Sequence, residues 1–137
     1  MKRPTSFAAL LVFALAASAS HAAENRAAQI EHRVQAAKDR LQLTDEQVER
    51  ITPVLEESLD AQRRILSRYG IDPDAPSAQR ERLGLRKAQA MKRDFEAARA
   101  ATLASVGDIL TRTQVDEFKR IQQERANEMR SRIVGGG

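Results

Sequence analysis

Cysteine and tryptophan are absent from this 137-residue chain, and tyrosine occurs once. Without cysteine there is no disulfide scaffold, thiolate zinc site, cysteine nucleophile or lipid-anchored N-terminal cysteine. No glycine-rich phosphate loop is present, so nucleotide chemistry has no motif behind it. Histidine occurs only at positions 21 and 32, and no Ser-His-Asp arrangement or carboxylate pair stands out. Asp72 and Asp74, flanking Pro73, read as turn and cap chemistry. The expectation is a non-enzyme that uses no cofactor. Long hydrophobic runs are also lacking beyond the N-terminus, so no stable membrane insertion is expected.

The formal charge of +4 partly belongs to the N-terminus. Lys2 and Arg3 precede an uncharged apolar run from Phe7 to Ala17, and small residues lead to Ser20-His21-Ala22. A positive start, a short apolar core and small residues at −3 and −1 are the three parts of a secretory signal. Residues 1–22 are therefore read as a signal peptide cleaved after Ala22, with Ala19 as second choice. The expected product is periplasmic if the source is Gram-negative. Its 115 residues carry 21 basic and 19 acidic side chains, a net charge of +2. No block of five like charges remains, which argues against nucleic acid as a partner. The even balance also argues against docking on a membrane surface.

In residues 23–137 only 27 side chains are Val, Ile, Leu, Met, Phe or Tyr, while 16 are Ala. Small domains bury a smaller share of their surface than large ones. This composition favours narrow Ala-rich helices over a compact globule, and makes a homodimer an expected source of further burial. The apolar positions repeat with a helical period. The stripes are Ala27-Ile30-Val34-Ala37-Leu41, then Val48-Ile51-Leu55-Leu59-Gln62-Leu66-Tyr69, then Ala88-Met91-Phe95-Ala98-Thr102-Val106-Ile109. A weaker fourth has Val115, Phe118, Ile121, Met129 and Ile133. The expected fold is all-α, with four helices in an elongated hairpin arrangement and a curved antiparallel dimer. The helical domain spans 23–134, and the glycines at 135–137 form a disordered tail.

Gly70 suits a left-handed helix terminus, and Pro73 and Pro76 stop helix formation around 71–76. Helix three is then expected over about 76–108. Pro53 removes the bond to the Glu49 carbonyl and is expected to bend helix two.

Two segments share the pattern L-T-x-x-Q: Leu43-Thr44-Asp45-Glu46-Gln47 and Leu110-Thr111-Arg112-Thr113-Gln114. Each reads as a capping box, with threonine accepting from the N3 amide and glutamine reaching back to the N-cap amide. Each also has a hydrophobic staple, Leu43 with Val48 and Leu110 with Val115. The local reading is two sharp helix junctions. Their recurrence 67 residues apart in an all-helical chain with an export signal is the specific feature.

On these residues the sequence resembles the Spy/CpxP, or LTxxQ-motif, family of small periplasmic stress proteins over roughly residues 24–133. The resemblance implies four helices that pair into a thin curved dimer. It also implies an ATP-independent chaperone or envelope-stress adaptor whose partners are unfolded or misfolded envelope proteins. Alternatives within the family are an accessory regulator docking on a sensor-kinase periplasmic domain, and a metal-responsive protein. Metal-responsive relatives carry His-rich or Cys/His segments. Here the mature chain keeps His32 alone, whose neighbours three and four residues away are Ala28, Gln29, Gln35 and Ala36, so no metal ligand set is expected.

Arginine outnumbers lysine 17 to 4 after residue 22. Arg63, Arg64 and Arg68 near the end of helix two, and Arg82, Arg86 and Arg93 on helix three, are the candidate client-binding residues. An arginine joins an apolar stem to a permanent charge, so such a face suits weak binding of unfolded chains. The competing reading is a solvated face with i,i+4 pairs such as Asp60–Arg64, Asp116–Arg120 and Glu128–Arg132. A structural helical module with a dedicated partner is the remaining alternative.

Overall fold

A computed structural model describes residues 13–72 and 83–134. Among the described residues the chain is all-helical, with four helices and no strand. They are α1 (Phe13–Leu41), α2 (Asp45–Arg68), α3 (Leu85–Gly107) and α4 (Arg112–Val134). Each helix packs on its sequence neighbour, and α4 returns to α1, so α1 and α3 lie diagonally opposite, as do α2 and α4. Of the segment read as a signal peptide, residues 1–12 lie outside the described residues. Helix α1 runs through Ala22 without a break. The tail at 135–137 is also outside them. No described helix is long and apolar enough to cross a membrane.

Most of the buried residues form two separate apolar clusters, with Ile30 and Leu59 buried outside both. One gathers Ala37, Leu41, Leu43, Ile51, Leu55, Val106, Leu110, Phe118 and Ile121 at the end where α1 turns into α2 and α3 into α4. The other gathers Ile65, Met91 and Phe95 at the α2–α3 connection, with Tyr69, Ile71, Leu83 and Met129 packed on it. The helical stripes run through both clusters, but each has a weak step midway: Gln62 on α2 and Thr102 on α3.

Helix ends follow from backbone chemistry. At the end of α2, Gly70 adopts φ +72. The Ile71 amide donates to the Leu66 carbonyl at 2.9 Å and the Gly70 amide to Ser67 at 3.0 Å. That pattern satisfies carbonyls the helix end would otherwise orphan. Leu66 and Ile71 both pack on the second cluster. The end of α1 uses the same device without glycine. Gln42 takes φ 53, and the Leu43 amide donates to Lys38 at 3.1 Å. The tight reversal drops Leu43 into the core, 6% exposed, and leaves Thr44 in place to start α2.

One expectation needs correction. Helix α3 starts at Leu85, not near 76. Its N-cap is Gly84 with an extended backbone, φ −62 and ψ 157, and glycine is costly inside a helix but tolerated at its edge. Residues 76–82 of the expected helix lie outside the described residues. Helix α2 is continuous through Pro53, which lies on its exposed side.

Candidate functional site

The junction end of the molecule is built around two glutamines. Thr44 is the N-cap of α2, with φ −71 and ψ 161. Its Oγ1 accepts from the Gln47 amide at 3.2 Å, and Gln47 Oε1 accepts from the Thr44 amide at 3.1 Å. The α4 start repeats this. Thr111 Oγ1 accepts from the Gln114 amide at 3.3 Å, and Gln114 Oε1 accepts from the Thr111 amide at 2.9 Å. Leu43 and Leu110 are buried in the first cluster, with Val48 and Val115 packed against it.

The two capping glutamines also meet. Gln47 Nε2 donates to Gln114 Oε1 at 2.8 Å, and Gln114 Nε2 donates to Gln47 Oε1 at 3.2 Å. The second proton of each amide goes to the chain just before the other motif: Gln47 to the Ile109 carbonyl and Gln114 to the Leu41 carbonyl, both at 3.2 Å. A glutamine amide offers two donors and two acceptor positions, and all four are used on each side. The half-buried pair is therefore fully satisfied, the condition under which a polar network rigidifies a core. Each motif alone explains a cap. Only their contact makes one unit that ties the α1–α2 turn to the α3–α4 turn.

Ion pairs also tie α1 to both of its neighbours. Arg40 on α1 bridges to Glu117 at 2.7 Å and to Glu124 on α4. Its hydrogen bonds to Glu124 and Glu117 raise the Arg40 pKa, and the bond from Arg40 holds the Glu124 carboxyl below its usual range. Arg26 grips Asp60 with two bonds, at 3.0 and 2.7 Å. This bidentate contact holds the Asp60 carboxyl below its usual range. The expected i,i+4 pairs are thus corrected. Asp60 belongs to Arg26 rather than Arg64, because a guanidinium fork from the neighbouring helix offers two parallel bonds. Arg64 reaches Glu57, Arg120 reaches Glu117 at 3.3 Å, and Asp116 faces Lys119 at 4.0 Å. Glu128 and Arg132 do not come within ion-pair distance.

The structure divides the candidate arginines. Arg63 turns to α1 and donates to Gln29 at 2.9 Å. Arg64 and Arg68 lie on the other side of α2, along an open groove of about 280 Å³ shared with Ala61, Ile65, Asp94 and Ala97. Arg68 Nη1 donates to Asp94 at 2.9 Å, and the Tyr69 hydroxyl donates to the same oxygen at 2.8 Å. That bond and burial raise the Tyr69 pKa. Arg86 and Arg93 are exposed on α3, and Arg82 lies outside the described residues. The six arginines therefore do not form one patch. Residues 63 and 64 are neighbours in sequence, about 100° apart around the helix.

His32 is exposed, and among the described residues no three His, Cys, Asp or Glu side chains converge on a common point. Compared with known proteins, the chain matches no family model, no curated protein and no solved structure.

Proposed function

We propose that this protein is a periplasmic, ATP-independent chaperone or envelope-stress adaptor of the Spy/CpxP type, a binding protein without catalytic chemistry. Residues 1–22 direct export, and the helical unit works as a homodimer. The observation that carries this reading is the paired LTxxQ unit. Both copies of the motif on which the resemblance rests are engaged with each other through Gln47 and Gln114. The α2–α3 groove supports the mechanism. It sets the charged heads of Arg64 and Arg68 beside Ala61, Ile65 and Ala97, a surface suited to brief contact with exposed apolar and acidic segments of an unfolded chain.

The test is suppression of aggregation. The purified protein should slow aggregation of an unrelated denatured client at near-stoichiometric ratio without nucleotide. Arg64→Ala should weaken the effect while leaving the far-UV circular dichroism melt in place. No protection over a range of clients and salt concentrations, together with an altered envelope-stress response on deletion, would replace this reading with that of a sensor-kinase regulator.

A further inference from the structure

The two apolar clusters differ in chemistry as well as in size. Among the described residues the first has nine buried members, none of them with sulfur, and the Gln47–Gln114 pair ties its end of the molecule. The second has three: Ile65, Met91 and Phe95, which are 6%, 6% and 8% exposed. Met129 on α4 is half-buried and packs against this second cluster. Apart from Met1, these are the methionines of the chain, which has no cysteine and no tryptophan. The thioethers beyond Met1 are thus gathered at the smaller cluster, on two different helices. Among the described side chains, Met129 is also the single contribution of α4 to that cluster.

Burial sets an order of reaction. Met129 is open to a small solute, whereas Met91 is covered. A thioether reacts with a peroxide when a sulfur lone pair attacks one peroxide oxygen. An S–O bond forms, the O–O bond breaks and water leaves. Sulfur loses two electrons and the peroxide gains them. The product is a sulfoxide, which is polar where the thioether was apolar. At Met129 this puts a strong acceptor against Ile65, Met91 and Phe95, side chains that offer it no hydrogen-bond donor. Burying a polar group without a partner is unfavourable, so the contact of α4 with the cluster is lost and Met91 loses cover. Oxidation of Met91 then places a second polar group inside a cluster with two other buried members.

We propose that Met129 and Met91 form a reversible oxidation site for a peroxide, in which sulfoxide at Met129 releases α4 from the second cluster and brings Met91, Ile65 and Phe95 into contact with solvent. The first cluster offers the oxidant no sulfur and keeps the helices joined at the other end. Ile65 also lines the α2–α3 groove beside Arg64 and Arg68, so oxidation enlarges the apolar part of that groove. The site stands whether or not the groove binds clients.

The test is treatment of the purified protein with hydrogen peroxide, followed by peptide mass mapping and by the fluorescence of a dye that binds apolar surface. Met129 should gain oxygen first, and oxidation of Met91 should lag and then accelerate. Dye fluorescence should rise with oxidation while the far-UV circular dichroism stays helical. Methionine sulfoxide reductases of both stereospecificities should reverse the rise. Two variants separate the latch from simple exposure. Met129→Gln stands in for the sulfoxide, and in it Met91 should oxidise roughly tenfold faster from the start, the factor that corresponds to about 1.4 kcal/mol of polar burial. Met129→Leu keeps an apolar contact without sulfur, so Met91 should stay slow throughout and the dye signal low. Equal Met91 rates in the two variants overturn the proposal. So does a fully oxidised wild type whose dye fluorescence matches that of the untreated protein.

Discussion

Replacing Gln114 with leucine removes one side of the amide pair and tests how the two junctions are tied. Its side-chain amide takes part in four hydrogen bonds, two with Gln47, one with the Thr111 amide and one with the Leu41 carbonyl. A net worth of about 1 kcal/mol per bond, discounted because the pair is only half-buried, gives a loss of about 2–3 kcal/mol. Gln47→Leu should cost the same, since its bonds mirror these. The double variant is the decisive measurement. Each single change also strands a donor and an acceptor on the surviving glutamine, whereas the double change strands neither. The summed singles amount to about 5 kcal/mol, but the double should lose only about 3–4, a coupling of about 1–2 kcal/mol. Urea unfolding followed by far-UV circular dichroism reads all four proteins. With a total stability on the order of 5–15 kcal/mol the single variants stay folded. Additivity within about 0.5 kcal/mol would refute the argument, because the two amides would then be acting as independent caps.

The two left-handed positions give a paired test. Gln42→Gly should stabilise by roughly 0.5–1 kcal/mol, because a side chain at φ 53 carries strain that glycine lacks. Gly70→Ala should destabilise by about 1 kcal/mol although no atom lies within 4 Å of the new methyl, so a negligible change in urea midpoint would show that backbone conformation is not what the site selects. Acid unfolding has a definite sign. Asp60 and Glu124 titrate below their ordinary values of 3.8 and 4.5 in the folded state, so their pairs stabilise above that range, and the contribution is lost as pH falls through the folded-state values. Tm should therefore drop on acidification below about pH 4.5, and Arg40→Ala should lower Tm at neutral pH and make the drop shallower. A parallel acid limb in Arg40→Ala would show that Glu124 gains nothing from its partner.

The stripes, read as a helical period, placed four helices, because burying one face of a helix forces apolar residues to recur every three or four positions. The L-T-x-x-Q strings made both caps readable, since a capping box is local chemistry spanning four residues. Helix ends were less legible. Gly70 declared itself, but Gln42 in the same conformation did not, because its backbone is dictated by the need to bury Leu43 so soon after Leu41. The start of α3 is not fixed by pattern, because Gly84 and Pro76 both permit a boundary. Among the arginines, pattern gave numbers but not partners. The bidentate reach of Arg26 to Asp60 spans 34 residues, and nothing within one helix announces it.

By itself, then, the sequence determined what depends on near neighbours: helix periodicity, the caps at Thr44 and Thr111, the stop at Gly70, and a core too poor in large side chains for a thick globule. Tertiary structure alone decided which polar groups face each other. Gln47 and Gln114 become a closed amide pair, Arg63 turns to α1 while Arg64 faces the groove shared with α3, and Arg26 reaches across to Asp60. The physical reason is range. Hydrogen bonds of a cap and the twist of a helix act within a turn or two, whereas the partner of a long polar side chain is fixed only when separate helices pack and remove it from water.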